Sequence, residues 1–277
     1  MATKAQIKRK LERLDKSGRG TGWGPDYRAL ICVHEMVSVG LAHRLVVWRY
    51  GRREFNLFSD AEKAAFLWHW FRPDTVEIYD QVKCDRAGTL AIARQLGVQH
   101  PQAIRGEPTI LSTDLLVVRR TPRGFRERAI SVKHEGYRLK DDDRKSLHIQ
   151  QLYHLQRGRE WRFCSSAGLN SAWARNLQWL FPAAEHVDRG KLTIGEIAAE
   201  EALLTEMRRP HFSAAEAQRA ATARFDLAPT AAAGAFRRLI ATHVLAVDIN
   251  APAFERLPPS AFRITRPAGN MAGISDV

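Results

Sequence analysis

The segment STDLLVVRRTPRGFRERAISVKH, residues 112–134, contains two apolar runs joined by a turn sequence. The runs LLVV and AISV flank TPRG, whose proline and glycine favour a tight turn, so the segment is predicted to form an antiparallel β-hairpin. If the turn is centred between Arg123 and Gly124, Asp114 lies directly opposite Lys133 across the hairpin. A register shifted by two residues would still keep Asp114 close to Lys133.

Asp114 stands at the start of a strand whose next four residues are all apolar, which indicates that the strand is buried on both faces. Moving an isolated carboxylate away from water is costly, so Asp114 needs a cation nearby. Lys133 is one candidate for that cation, and a bound metal ion is another. A plain cross-strand ion pair without any chemistry explains the same pattern equally well.

Glu62 is a second carboxylate in an apolar setting. In FSDAEKAAFLWHWF it lies one helical turn before Phe66 and two turns before Trp70, on the face that is predicted to point into the core. A capping box with Ser59 is the alternative, because the pattern Ser-x-x-Glu is typical of helix N-termini. Such a box would satisfy Glu62 without any chemistry.

Glu62, Asp114 and Lys133 together are typical of metal-assisted phosphodiester hydrolysis. The two carboxylates are hard oxygen ligands suited to Mg²⁺, for which Mn²⁺ can substitute, and a bound metal polarises a phosphodiester and acidifies water. Lys133 would hold or deprotonate the attacking water, or neutralise charge in the transition state. The sequence therefore predicts these three residues as the catalytic set.

The composition points to a polyanionic partner. The 277 residues include 43 lysines and arginines against 30 aspartates and glutamates, and the net charge of +13 suggests nucleic acid. A basic protein that binds no nucleic acid is the alternative. Three well-separated cysteines form neither a disulfide framework nor a zinc motif. Because apolar runs of membrane-spanning length, a signal peptide and a Walker-type loop are all missing from the sequence, we expect a cytoplasmic protein with no membrane partner that uses no ATP.

The pattern along the chain predicts an α/β domain followed by a mainly helical one. Residues 1–24 are predicted to be a basic N-terminal arm and glycine-rich loop, residues 25–182 a mixed sheet flanked by helices, and residues 183–277 an alanine-rich helical domain. Three helices followed by a short hairpin in this last part are typical of a winged helix. The predicted strands are 43–50, 54–58, 76–82 and 160–166, and the predicted helices are 4–15, 60–71, 141–157 and one from residue 171 that ends before Pro182.

These motifs resemble the PD-(D/E)xK nuclease superfamily, and within it the TnsA-type endonucleases of heteromeric cut-and-paste transposases. The segments that carry the resemblance are collinear with the family and cover most of residues 17–182; they are GRGTGWGPDY, the pair His43–Arg44, LFSDAEKAAF, HPQAIRG, STDLLV and ISVKH. Residues 183–277 resemble the family only in their layout. The resemblance implies a restriction-endonuclease-like N-terminal domain and a winged-helix-like C-terminal domain.

By this resemblance, Glu62 is the helix carboxylate of the family, Asp114 its metal-binding aspartate and Lys133 its catalytic lysine. The resemblance implies Mg²⁺ ligation by Glu62, Asp114 and the main chain of Val132. Ser131 departs from the family, which has Gln, Asp or Glu two positions before the lysine. A shorter, neutral side chain at this position, as a candidate further ligand, leaves the number of metal ions open.

The resemblance also implies a reaction and a set of partners. A TnsA-type protein cleaves the non-transferred strands at the 5′ ends of the transposon, beside a TnsB-type transposase that cuts and joins the 3′ ends. A TnsC-type AAA+ regulator contacts the C-terminal domain, and an RNA-guided or sequence-specific targeting protein selects the insertion site. The substrate is double-stranded DNA at the transposon ends, for which the candidate contacts are Lys8, Arg9, Lys10, Arg19, Arg44, His134, Arg237 and Arg238. A non-catalytic DNA-binding adaptor and a stand-alone restriction or repair nuclease are the alternatives.

Overall fold

A computed structural model describes residues 3–35 and 41–265 of the chain. The chain divides into two compact units, Met1–Ser171 and Ala172–Val277. The helix Ala172–Asp188, which is predicted at the end of the first domain, begins just after this division and belongs to the second unit.

The described part of the first unit contains α1 (Lys4–Lys16), β1 (His43–Val47), β2 (Arg53–Leu57), α2 (Asp60–Phe71), β3 (Thr75–Lys83), α3 (Arg86–Gln95), β4 (Gln102–Ile104), β5 (Glu107–Pro108), β6 (Ser112–Thr121), β7 (Gly124–His134), α4 (Asp141–Leu155) and β8 (Glu160–Ser166). Short 3-10 helices lie at Val33–Glu35, Trp48–Tyr50 and Gly168–Asn170. The strand predicted over residues 43–50 is therefore shorter than expected, because the chain leaves β1 after Val47 and turns through a 3-10 helix.

The central sheet is mixed and has the strand order β3-β6-β7-β8. β6 pairs antiparallel with β3 on one side and with β7 on the other, and β8 joins the far edge of β7 in parallel. The pairs β1–β2 and β4–β5 form separate two-stranded sheets. α2 contacts β3, β6, β7 and β8, and α4 contacts β8, so this unit is an α/β fold in which helices flank a mixed sheet.

The hairpin of β6 and β7 is closed by a two-residue turn, Pro122–Arg123, which moves its register by two residues from the predicted alignment. By continuation of the observed pairs, the position opposite Asp114 is Ser131. The prediction that Lys133 lies directly across the hairpin from Asp114 is therefore wrong. Two-residue turns are the commonest hairpin connections, because their twist matches that of the flanking strands.

The apolar run of β6 is buried on both faces, as predicted. Leu115, Leu116 and Val117 are all within the core, with at most 2% of their surfaces exposed. On one face, Leu116 packs in a cluster with Tyr79. Asp114 thus stands directly before a fully buried stretch of the central sheet.

The glycine-rich segment after α1 is folded against β3. Gly20 has a left-handed φ of 70°; its N–H donates to the carbonyl of Arg28 at 2.6 Å, and its carbonyl accepts from the N–H of Lys83 at 2.9 Å. Trp23 packs edge-on against Tyr79, with the ring centres 5.1 Å apart. These contacts hold the glycine-rich loop against the sheet.

The described part of the second unit contains α5 (Ala172–Asp188), α6 (Ile194–Met207), α7 (Ala214–Arg224), α8 (Pro229–Ala241), β9 (Leu245–Ala246) and β10 (Arg263–Ile264). α5 continues through Pro182, so the prediction that this helix ends before the proline is wrong. β9 and β10 pair antiparallel after α6, α7 and α8, which is the predicted order of elements. The winged-helix assignment stays a prediction, and residues 266–277 of that predicted domain lie outside the described residues. In the described ranges, no helix has both the length and the apolar character that crossing a bilayer requires.

Candidate active site

Asp114 is anchored to the neighbouring strand by a main-chain hydrogen bond. Its Oδ2 accepts from the N–H of Val132 at 2.6 Å, a contact that the observed hairpin register brings into reach. The carboxylate is partly buried, and burial raises its pKa above the usual range, while the Val132 N–H and the charge of Lys133 act in the opposite direction. A negative charge at this position is therefore unfavourable without a nearby cation.

Glu62 lies in the first turn of α2 and is buried, with 7% of its surface exposed. Ser59 caps the helix by accepting a hydrogen bond from the N–H of Glu62 at 3.1 Å, and Oε2 of Glu62 accepts from the N–H of Phe58 at 3.0 Å. Burial, followed by the charge of Asp114, raises the pKa of Glu62 to about 8. The carboxylate thus contributes to the cap of the helix and also lies within the electrostatic field of Asp114.

Lys133 provides positive charge within reach of both carboxylates. Its ammonium lowers the pKa values of Glu62 and Asp114, so the structure brings the three predicted residues into one group. The side chain of Lys133 is 37% exposed, and Nζ lies 3.9 Å from Oδ1 of Asp143 and 5.4 Å from the ring centre of Tyr137. The lysine therefore forms the solvent-facing side of the group.

Gln81 is a member of this group that sequence reasoning missed. Its amide is buried; Nε2 donates to Oε2 of Glu62 at 3.2 Å, and the side chain also acts to lower the pKa of Asp114. At its other end, Oε1 accepts from Oγ of Ser112 at 3.1 Å. The available signal in the sequence is a lone amide near the end of a strand, which by itself is a common surface pattern.

Ser131 and Val132 have different surroundings although they are adjacent in β7. Oγ of Ser131 donates to Oε1 of Gln150 at 3.0 Å, and the same oxygen accepts from Oγ1 of Thr113 at 3.2 Å. Thr113 Oγ1 lies 2.7 Å from Nε2 of His154. The Ser131 hydroxyl thus belongs to a buried polar network with α4, whereas the Val132 N–H serves the carboxylate group. Metal-ligand roles for Ser131 and the main chain of Val132 stay predictions.

The donor set fits a hard divalent cation. Mg²⁺ is commonly held by one or two carboxylates together with waters and substrate phosphates. Glu62 and Asp114 supply such a pair, and burial is the main cause that raises the pKa of both carboxyls, so a bound cation would favour their ionised forms. Within residues 3–35 and 41–265, no group of three or more His, Cys, Asp or Glu side chains is arranged to hold a metal, so the fit depends on this carboxylate pair and its neighbours.

Most of the predicted DNA contacts in the first unit are exposed. The exposed residues are Lys8, Arg9 and Lys10 on α1, Arg44 on β1 and His134 at the end of β7. Arg19 is different, because both of its terminal nitrogens bond to the carboxylate of Glu35 at 2.7 Å. The structure therefore leaves the α1 side chains as the most accessible cluster of predicted contacts.

The two predicted contacts in the second unit have internal partners. Arg237 donates to the carbonyl of Trp179 at 2.5 Å and lies over its ring at 4.8 Å from the centre. Arg238 is buried and pairs with Glu200 at 2.6 Å and with Glu196 at 3.2 Å. The guanidinium of Arg238 is thus engaged inside the unit, which leaves it no donor face for DNA.

The fold and the positions of the three predicted residues together indicate a class of protein. An α/β fold whose mixed sheet carries Asp114 and Lys133 on adjacent strands, with Glu62 on a flanking helix, is consistent with the restriction-endonuclease-like class. No protein-family model matches the chain. Over 180 residues, the chain is 31% identical to the transposon Tn7 transposition protein TnsA of Escherichia coli. This match covers 65% of the chain and 63% of that protein, so the chain spans less than two thirds of the length of this relative.

Proposed function

We propose that this protein is the endonuclease subunit of a TnsA/TnsB-type cut-and-paste transposase, which cleaves the non-transferred strands at the 5′ ends of the transposon. One observation carries the proposal: Glu62, Asp114 and Lys133, which are far apart in the sequence, lie within electrostatic reach of one another. The similarity to the transposition protein TnsA supports the same function.

The contacts of each residue suggest its task. When bound, Mg²⁺ or Mn²⁺ supplies Lewis acidity at the scissile phosphate and lowers the pKa of water. Glu62 and Asp114 provide oxygen ligands, and main-chain N–H groups of Phe58 and Val132 hold one oxygen of each carboxylate in place. The ammonium of Lys133 orients the attacking water and neutralises charge that develops on the phosphate oxygens.

Double-stranded transposon ends are the proposed substrate. The net charge of +13 suits DNA that is held mainly through its phosphates, and the exposed Lys8, Arg9 and Lys10 of α1 offer three donors on one short helix. Arg44 and His134 are the further exposed candidates. Such contacts position the duplex without selecting a base sequence, so the choice of cleavage site would come from the partner proteins.

The proposed partners follow from the division of labour in such transposases. A TnsB-type transposase would process the 3′ ends, and a TnsC-type AAA+ regulator would contact the unit Ala172–Val277. An RNA-guided or sequence-specific targeting protein would select the insertion site. The proposal places the protein in the cytoplasm, associated with the nucleoid when active.

Reconstitution with the partner transposase on a plasmid that carries transposon ends tests the proposal, provided that cleavage of the two strands is measured separately. Asp114→Ala and Lys133→Ala are expected to abolish 5′-strand cleavage while 3′-end cleavage and joining by the partner continue. Lys145→Ala is the matched control, because this lysine on α4 pairs with Asp142 at 3.2 Å. It is expected to cleave like the wild type.

Two outcomes would replace the proposal. Unchanged 5′-strand cleavage in Asp114→Ala and Lys133→Ala would remove the endonuclease assignment and favour a non-catalytic DNA-binding adaptor. The bonding of the Ser131 hydroxyl to Gln150 supports that second candidate, since it turns this hydroxyl toward α4. Cleavage of naked DNA by this protein alone would instead indicate a stand-alone restriction or repair nuclease.

A further inference from the structure

Gln81 lies beside both carboxylates of the proposed site and makes a hydrogen bond to one of them. Its Nε2 donates to Oε2 of Glu62 at 3.2 Å, and the pairing of Asp80 with Leu115 and of Val82 with Thr113 places Gln81 across from Asp114 on the neighbouring strand. At the other end of the amide, Oε1 accepts from Oγ of Ser112 at 3.1 Å. A hydroxyl can either donate or accept, so the carboxylate of Glu62, which accepts when it is ionised, determines that the NH₂ group faces it.

The main chain at Gln81 is bent in a way that produces these contacts. Its φ is +47°, a left-handed conformation that is unfavourable for a residue with a Cβ atom. Tyr79 and Val82 both pack in the cluster around Leu116, although strict alternation would place them on opposite faces of β3. The irregular residue between them redirects the Gln81 side chain, which is a common use of strand irregularities beside active sites.

Gln81 is buried, and a buried amide that served only to fill space would be unfavourable. The residue is 4% exposed, so each of its polar atoms needs a partner inside the protein. Ser131, the other neutral polar side chain considered for the site, has its hydroxyl bonded to Gln150 at 3.0 Å. Gln81, in contrast, donates to Glu62 and also acts to lower the pKa of Asp114.

We propose that Gln81 is a positioning residue of this site, which holds Glu62 and Asp114 in the orientation in which they bind the divalent cation; this inference rests on the function proposed above. An amide with two N–H groups suits the task, because one N–H donates to Glu62 and the second is available to Asp114, while each carboxylate keeps other lone pairs for ligation. Residues that support metal ligands in this way commonly contribute about 10- to 100-fold to metal affinity.

Binding of Mn²⁺ to the full-length protein without DNA, measured from the electron paramagnetic resonance signal of free Mn²⁺, tests the inference. Gln81→Met keeps the length of the side chain but removes both N–H donors, and is expected to weaken Mn²⁺ binding by about 10- to 100-fold. Ser112→Ala releases only the amide oxygen and is expected to weaken binding by a smaller factor. Gln156→Met is the control, because the Gln156 amide donates to Oε1 of Gln95 at 3.3 Å, outside this group, and the change is expected to leave Mn²⁺ affinity unchanged.

Asp114→Ala distinguishes a failure of this inference from a failure of the proposed function. If Asp114→Ala loses Mn²⁺ binding but Gln81→Met binds as tightly as the wild type, the positioning role is overturned and the metal site stands. If Asp114→Ala binds with wild-type affinity, the metal site fails and the inference fails with it. Should Gln81→Met not fold, wild-type affinity in Ser112→Ala overturns the role instead.

Rescue by excess metal separates positioning from a merely structural role. In the reconstituted reaction, high Mn²⁺ is expected to restore 5′-strand cleavage by Gln81→Met, because the ligands themselves remain. Asp114→Ala is expected to stay inactive at every Mn²⁺ concentration. Cleavage by Gln81→Met that does not respond to Mn²⁺ would contradict the positioning role.

Discussion

His154 gives the protein a sensitivity to acid that can be measured as a difference between two variants. The imidazole is fully buried; Nε2 lies 2.7 Å from Oγ1 of Thr113, and Nδ1 has no hydrogen-bond partner within the described residues. Burial, followed by the charges of Arg159 and Arg157, lowers the pKa of His154 to about 3. In the unfolded chain the pKa of histidine is about 6.5, so the unfolded state takes up a proton first as the pH falls.

The sign and size of the effect follow from these two pKa values. The contribution of His154 to stability is fully present above about pH 6.5 and is lost as the pH falls from there toward 3, because unfolding is then accompanied by proton uptake. One unit of pKa corresponds to about 1.4 kcal/mol, so this residue is expected to lower the free energy of unfolding by about 3 kcal/mol between pH 6.5 and pH 4.

Urea denaturation of the wild type and His154→Gln between pH 4 and pH 7.5 measures this loss. The variant has no proton to take up there, so it is expected to retain about 3 kcal/mol more of its neutral-pH stability at pH 4 than the wild type does. Burial lowers the pKa of His69 to about 4 and raises that of Asp80 to about 7, but both groups are present in the two proteins and cancel in the difference. His148→Gln, at an exposed position of the same helix, is the control. Parallel pH profiles for the wild type and His154→Gln would refute the reasoning.

Three further predictions concern the helix carboxylate, the basic helix and the glycine-rich segment. Glu62→Gln keeps an oxygen that can accept from the N–H of the preceding turn, so it is expected to have a Tm close to that of the wild type but to lose 5′-strand cleavage; a large fall in Tm with cleavage intact would mean that capping is its whole role. Replacing the exposed Lys8, Arg9 and Lys10 by alanine is expected to reduce the salt dependence of DNA affinity, by about 0.9 in log–log slope for each phosphate that the helix no longer neutralises, as measured by fluorescence anisotropy at several salt concentrations. An unchanged slope would exclude this helix from the DNA interface. Gly20→Ala is expected to lower the free energy of unfolding by more than about 1 kcal/mol, because its φ is +70° and an added Cβ would lie 2.8 Å from atoms of two packed neighbours; an unaltered Tm would contradict this packing.

The sequence predicts the bounds of a helix or strand best where the capping residue, the apolar periodicity and the residue that ends the element all agree. α2 occupies the predicted residues 60–71, because Ser59 accepts a hydrogen bond at the start of the helix and Pro73 follows shortly after its end. β8 likewise occupies the predicted residues 160–166. In α5 the cues conflict, since Pro182 indicates an end while the helix continues to Asp188. A single proline is therefore not sufficient to end this helix.

The hairpin register could not be decided from the apolar pattern. A shift of two residues returns every side chain to the same face of the sheet, so both registers bury the same residues. TPRG is compatible with two turn centres, and the structure uses the one at Pro122–Arg123. No local sequence signal predicts the left-handed conformation of Gln81 either, because its hydrogen-bond partner Glu62 lies on another element of the fold.

The register also decides what compensates the charge of Asp114. In the predicted alignment, the ammonium of Lys133 would lie across the hairpin and act as its counterion. In the observed one, the N–H of Val132 donates to Asp114 at 2.6 Å, just as the N–H of Phe58 donates to Glu62 at 3.0 Å, so main-chain donors hold one oxygen of each carboxylate. Main-chain N–H groups do not titrate and do not depend on the side chain at their own position. They carry no net charge, so the negative charge of the carboxylates still has to be balanced by a cation. Lys133, whose Nζ lies 3.9 Å from Oδ1 of Asp143 on α4, lies on the solvent-facing side of the group.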